Sequence, residues 1–362
     1  MNKKKLTIYD IAKEAGVSPS TVATVLNGSW RKRRVSEATA HSIEAIAQGN
    51  GYTINLLARG LSSSKSGLIG MVIPMLDNRF FSSLAQAFED RVRADGFYPV
   101  VASTSREPEK ERSTVDALIS HSIDALIIAG ATDPDRLSDI CWRAGVSHIN
   151  VDLAGKKGVS VVSDNYKGAH DLALYIGRAA ACKLARPYAC FIGGRPEDDN
   201  TQKRIEGFKD GMAETGIRLT KGSIRPTGYE AYLAERTIRE LHAEIGRLPD
   251  VLFVNSTIAF EGVVRFLKGL PIEVVLNCSI GCFDYDPFIE LLHFPVAMVR
   301  QNTRGLIDES FRRLEMAQSA RRKVVLIPTE LILPGAHPDG ERLGHESLPS
   351  TTDTPSGHRT SA

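Results

Sequence analysis

Residues 7–28 constrain the fold more than any other stretch of this 362-residue chain. Ile8, Ile11, Ala12 and Ala15 recur at helical spacing, and Val22, Val25 and Leu26 repeat the pattern after a break at Gly16-Val17-Ser18. Thr7 is placed to cap the first helix, and Gly16 suits the left-handed residue that ends it. Ser18 caps the second helix, whose first turn accepts Pro19 because an N–H is unused there. Ala12 is small enough for the second helix to approach closely, and Val17 closes the core. Two short amphipathic helices meeting at so tight a turn form the signature of a helix-turn-helix, a unit that places its second helix in the DNA major groove. Ser36 starts a third helix, in which Ile43, Ile46 and Ala47 complete a small core.

Charge separates this segment from the rest. Residues 1–66 carry a net +6 of the chain's total of +2, which leaves −4 for the remainder. Positive charge is gathered where phosphate would be bound, and the larger part would repel it. A helical hairpin that merely packs has the same spacing. The charge, the glycine turn and Ala12 together favour DNA.

No apolar run is long enough to span a membrane, and Asp10, Lys13 and Glu14 interrupt any signal peptide, so a cytoplasmic protein is expected. The five cysteines lack zinc spacing and read as reduced thiols; no metal or cofactor is expected.

From Gly67 to about Gly335, apolar runs alternate with amphipathic stretches. The runs include Leu68–Pro74, Pro99–Ala102, Ala125–Ala129, Ser147–Val151, Tyr188–Ile192, Val251–Val254 and Ile280–Phe283. Repeated strand–helix units imply α/β architecture with doubly wound parallel sheets, and about 270 residues is enough for two lobes. The expected organisation is an all-α head at 1–50, a hinge helix and linker at 51–66, a two-lobed domain at 67–336 and a disordered tail at 337–362. No dinucleotide fingerprint, P-loop or G-x-S-x-G elbow occurs, and His121, His148 and His170 are scattered, so an enzyme is not expected. The basic head and the missing signal oppose an exported solute-binding protein.

Residues Thr7–Asn27, then Arg34-Val35-Ser36, Gly51-Tyr52 and Asn55-Leu56-Leu57-Ala58-Arg59-Gly60-Leu61, closely resemble the head and hinge of the lactose-repressor family. The resemblance continues more loosely to about Pro334. It implies a homodimeric or tetrameric transcriptional regulator, most often a repressor, that binds a near-palindromic operator and responds to a small molecule, often a sugar. Lacking a heptad-rich C-terminal segment, this chain is expected to be a dimer. By position, Pro19, Ser20 and Thr24 would read bases, while Tyr9, Ser18, Thr21 and Asn27 would touch phosphate. Ala23 and the short Thr24 depart from the family pattern. So does the longer loop 28–34, in which Arg31, Arg33 and Arg34, with Lys32, would add phosphate contacts unless the run is simply a solvated loop. Asn55–Leu61 is marginal as an isolated helix, and Gly60 weakens it by about 1 kcal/mol. In the family such hinge helices pair in the minor groove, where Leu61 would wedge between base pairs beside Arg59.

The larger region resembles the periplasmic-binding-protein-like sensor of the same family. A sugar site needs carboxylates and amides for hydroxyl pairs, an arginine, and an aromatic face. Asn78, Phe81, Asp152, Asp164, Arg204, Asn255, Asp284 and Gln301 fall at matching positions, at strand ends or early in helices. Each has a plainer alternative: Phe81 as core, Asp164 as a helix cap, Asn255 as a turn residue, Arg204 and Asp284 as a pair or surface groups. Arg79 and Ser256 depart from the family pattern. Arg79 at the mouth would suit an acidic sugar or a phosphate.

Overall fold

The computed structural model describes residues 6–26, 28–31, 33–52, 66–316 and 323–335. The expected hinge helix and the segment 337–362 lie outside these residues. The head consists of helices α1 (Ile8–Ala15), α2 (Pro19–Leu26) and α3 (Glu37–Gly49). The N–H and hydroxyl of Thr7 both donate to the Asp10 carboxylate, at 2.9 and 2.6 Å, and fix the start of α1. Gly16 turns the chain at φ +66°, with no strain because it lacks a Cβ. Ser18 and Ser36 accept the N–H groups of Thr21 and Thr39, each at 3.1 Å, and cap the next two helices. Ile11, Ala12, Val22, Val25, Ala40, Ile43 and Ala47 form the buried core. The edge of that core includes Trp30 and Tyr52.

Two six-stranded sheets build the rest. In lobe one, β1 (Leu68–Ile73), β2 (Tyr98–Ser103), β3 (Ala125–Ala129), β4 (Ser147–Val151), β5 (Val159–Ser163) and β11 (Lys323–Ile327) take the order β11-β5-β4-β3-β1-β2, all parallel. In lobe two, β6 (Ala189–Ile192), β7 (Ile224–Arg225), β8 (Val251–Val254), β9 (Ser279–Phe283), β10 (Val296–Arg300) and β12 (Glu330–Ile332) take the order β12-β10-β9-β8-β6-β7. The two orders are equivalent, so β4 and β9 occupy the same place in their lobes. Only the β10–β12 pairing is antiparallel, a departure from the all-parallel expectation at the sheet edge.

Both faces of each sheet are covered, which explains the unbroken apolar strands. In lobe one, α4 (Arg79–Ala94) and α12 (Thr303–Leu314) cover one face, and α5 (Pro108–Ser120) and α6 (Pro134–Ala144) the other. In lobe two, α7 (Asn165–Ala181) and α8 (Asp199–Glu214) oppose α9 (Ala231–Ile245) and α10 (Thr257–Leu267). A short α11 (Ile272–Leu276) follows. Phe191, Phe208 and Phe253 pack ring to ring at 5.0–5.7 Å beneath α8. Glycines let the paired helices touch: a Cβ on Gly207 would lie 2.3 Å from the Tyr166 carbonyl oxygen, and one on Gly262 only 1.8 Å from that of Ala231.

The chain changes lobe three times. After β5 it enters lobe two through α7, after β10 it returns through α12, and after β11 it crosses again to β12. Ser66 and Gly67, where lobe one begins, donate both backbone N–H groups to the Asp124 carboxylate at 2.8 and 2.9 Å.

Candidate functional site

Strand termini of both lobes converge on one cleft. Asp152 follows β4 and Asp284 follows β9, at equivalent places in the two sheets, and both hold left-handed backbones at φ +70° and +82°. A non-glycine residue in that region is strained, and such strain collects at functional sites. Both carboxylates are buried. Asn200 Nδ2 donates to Asp152 at 2.8 Å, and Gln301 Nε2 donates to Asp284.

Arg204 on α8 is 3% exposed and lies with its guanidinium 3.7 Å from the Phe283 ring centroid. It donates through Nε to Asn165 Oδ1 at 2.8 Å and through Nη1 to the Asn255 backbone oxygen at 2.7 Å. Asn165 in turn donates to Asn200 at 3.2 Å, which closes a chain Arg204–Asn165–Asn200–Asp152 across the lobes. Arg204 bonds neutral oxygens, so its charge acts on Asp152 and Asp284 through space. Burial pushes Asp152 up to about 6, Arg106 and Arg204 pull it down, and Asp284 raises it again. Burial also raises Asp284, against the pull of Arg204 and the Gln301 hydrogen bond.

The space among these groups measures about 30 Å³, far below the volume of an ordinary ligand site. Asn78, Phe81, Asp152, Arg204, Asp284 and Gln301 all face it. Asn78 also caps α4, accepting from Phe81 N–H at 3.2 Å.

Two of the expected side chains do not line this space. Asp164 does not face the cleft: its carboxylate caps α7, accepting from Lys167 N–H at 2.9 Å, and the next residue, Asn165, turns inward instead. Asn255 contributes its backbone oxygen, while its side-chain amide is fully buried outside the cavity lining and without a hydrogen-bond partner. Arg79 is paired with Asp286 at 3.1 Å, lies over Phe288, and lines a groove that also includes Asp284 and Gln301. Arg106, Asn200 and Tyr229 were not anticipated. Asn200 carries a signal, lying one helical turn before Arg204 on the same face. Arg106 carries a weaker one, just beyond the end of β2.

In the head, Tyr9 is 70% exposed. Ser18 Oγ lies 2.7 Å from Ser20 Oγ and 2.8 Å from Thr21 Oγ1, and Thr24 donates its hydroxyl to the Ser20 carbonyl at 2.8 Å. Pro19 begins α2 beside them. This hydroxyl cluster fixes the surface the helix presents. The loop that follows is pinned by Trp30, whose carbonyl accepts the N–H groups of Arg33 and Val35, each at 3.2 Å. Arg31 lies 5.0 Å from the Trp30 ring, and Arg31, Arg33 and Arg34 are exposed, with no ion pair among the described residues. Asn27, Arg59 and Leu61 lie outside those residues. Among the described residues no helix is long and apolar enough to cross a membrane, and no His, Cys, Asp and Glu cluster suits a metal.

Comparison with known proteins finds two family matches. Residues 7–55 match the profile of bacterial regulatory proteins, lacI family, and residues 69–289 match a periplasmic binding protein domain. The ribitol operon repressor of Klebsiella aerogenes is 45% identical over 193 residues, covering 53% of this chain and 72% of that protein. The sucrose operon repressor of Klebsiella pneumoniae is 29% identical over 317 residues, covering 84% and 90%. Among solved structures, the lac repressor dimer bound to operator and the anti-inducer ONPF superposes with a TM-score of 0.74 at 21% identity, covering 91% of this chain and 98% of that one. The Cra regulator of Pseudomonas putida with fructose 1-phosphate gives 0.62 at 22%, covering 74% and 98%. These two likenesses concern the fold. The chain belongs to the lacI family of bacterial regulatory proteins.

Proposed function

We propose that this protein is a transcriptional repressor that binds a pseudo-palindromic operator as a homodimer and is switched by a small uncharged sugar or polyol. Residues 1–50 are the DNA reader, 51–66 the hinge and linker, and 67–336 the sensor. One observation carries the reading: buried charged and amide side chains from both lobes converge on a cleft at the strand ends, in a chain that also has a capped, basic helix-turn-helix. Relatives that repress the ribitol and sucrose operons support a polyhydroxylated effector. Those relatives are regulators, which supports binding over catalysis.

Pro19, Ser20 and Thr24 face the bases in this reading, and Arg59 and Leu61 enter the minor groove. Ligand binding alters how the lobes close and therefore how far apart two hinges lie. The test is deletion of residues 1–61. The truncated protein should lose all retardation of operator DNA and keep a ligand-dependent rise in melting temperature. Retained retardation would refute the division into reader and sensor.

A further inference from the structure

Arg106 lies on a turn that its own residue type disfavours. Ser105 and Arg106 both adopt left-handed backbones, at φ +57° and +55°, just past the end of β2. The result is a lobe-one arginine aimed at lobe two. Its guanidinium lies 5.8 Å from the Phe81 ring of its own lobe and 4.9 Å from the Tyr229 ring opposite. The side chain is 9% exposed, and it lines the same cavity as Asp152 and Arg204.

Nε and Nη1 of this buried cation have no hydrogen-bond partner, and neither does Oδ2 of Asp198, whose side chain is 11% exposed across the cleft. Nη1 and Oδ2 are 3.9 Å apart, too far for a hydrogen bond. The two charges pair across that distance, but leaving these three atoms without hydrogen bonds at that depth is costly. We propose that Arg106 and Asp198 form a clasp that recognises an uncharged hydroxyl of the effector and discriminates against its acid or phosphate ester. This rests on the effector site proposed above.

A hydroxyl is both acceptor and donor. Placed about 2.8 Å from each atom, it accepts from Arg106 and donates to Asp198, satisfying both at once. An ionised carboxylate or phosphate only accepts, so it satisfies Arg106 and turns lone pairs toward Asp198. Asp152 and Asp284 face Arg106 and Arg204 around this space, and Asp198 adds a third carboxylate beside Arg106. Arg79 pairs with Asp286, and Arg195 lies 4.0 Å from Glu230 while its charge also reaches Asp198.

The experiment is calorimetric titration of the full-length protein with matched pairs: ribitol and ribonate, glucitol and gluconate, fructose and fructose 1-phosphate. The uncharged member of the recognised pair should bind more tightly. R106Q should weaken it roughly 10- to 100-fold. D198N removes charge without volume and covers the case in which R106Q fails to fold; it should narrow the preference for the uncharged member by roughly tenfold. A wild-type preference for the anionic member, or wild-type affinity and preference in both variants, overturns the clasp alone. Failure of every compound to bind overturns the effector reading and the clasp with it.

Discussion

Arg204→Ala tests the energetics of the cleft. The wild-type guanidinium makes two charge-assisted hydrogen bonds, at 2.8 and 2.7 Å, and lies against Phe283 while almost fully buried. Each such bond contributes about 1.5–3 kcal/mol, and breaking a buried charged network by removing one partner costs about 3–5 kcal/mol. At about 2–4 °C per kcal/mol for a domain of this size, the melting temperature should fall by roughly 6–20 °C. The fall should also depend on pH. Asp152 titrates near 6 when folded against 3.8 ordinarily, so its protonated form favours the fold. That contribution is complete below about 3.8 and is lost as pH rises through about 6. Removing Arg204 raises the folded value further, which penalises only the ionised carboxylate. At pH 5 Asp152 is protonated in either protein; at pH 7.5 the variant must ionise it without Arg204 nearby. Differential scanning calorimetry at both pH values should therefore show a larger gap at 7.5. A fall below about 2 °C, or one that is the same at both pH values, would refute the electrostatic account.

Other perturbations reach other parts of the molecule. Asp152→Asn should flatten the loss of stability between pH 5 and 7 in chemical denaturation, because the titrating carboxyl is gone; an unchanged profile would assign the titration elsewhere. Gly262→Ala places a Cβ 1.8 Å from the Ala231 carbonyl oxygen and forces α9 and α10 apart, at a cost of about 1–3 kcal/mol measurable by urea unfolding. Neutralising Arg31, Arg33 and Arg34 to Gln should flatten the salt dependence of DNA binding by about 0.9 in slope for each phosphate that is no longer neutralised, up to about 5 for a dimer, with operator preference kept. An unchanged slope in fluorescence anisotropy would mean that the loop only solvates.

What was legible in the sequence was local. Gly16, Ser18 and the apolar spacing of α1 and α2 specify the head because caps, turn and periodicity agree. Asp152 and Asp284 could be found because they end apolar strands. Asp164 was misplaced by one residue for a physical reason: a helix cap spends its carboxylate on the first-turn N–H, and the following residue has the inward direction. Arg106 was hidden because two consecutive left-handed residues of ordinary type are set by tertiary packing. β5, β7, β10, β11, β12, α11 and α12 were not identified either. β11 shows one reason: Val324 and Leu326 are exposed on an edge strand, so the strand lacks the fully buried pattern that betrays its neighbours.

The crossings between lobes tie the proposed effector site to the angle between the lobes. Asn165 is the first residue of α7, directly after the first crossing, and it holds both Arg204 and Asn200. Gln301 lies on the second crossing, between β10 and α12, and it holds Asp284. The first and third crossings are themselves joined, because Asp164 N–H donates to the Ile327 carbonyl at 2.8 Å. A lobe that turns must rotate backbone dihedrals in these same segments, since the packed sheets on either side do not deform. Any ligand that draws on Asn165 or Gln301 therefore biases the hinge directly, without a relay through the core. Variants at Asn165 should consequently alter effector affinity and the DNA response together, and a variant there that changed affinity while leaving the DNA response intact would separate the hinge from the site.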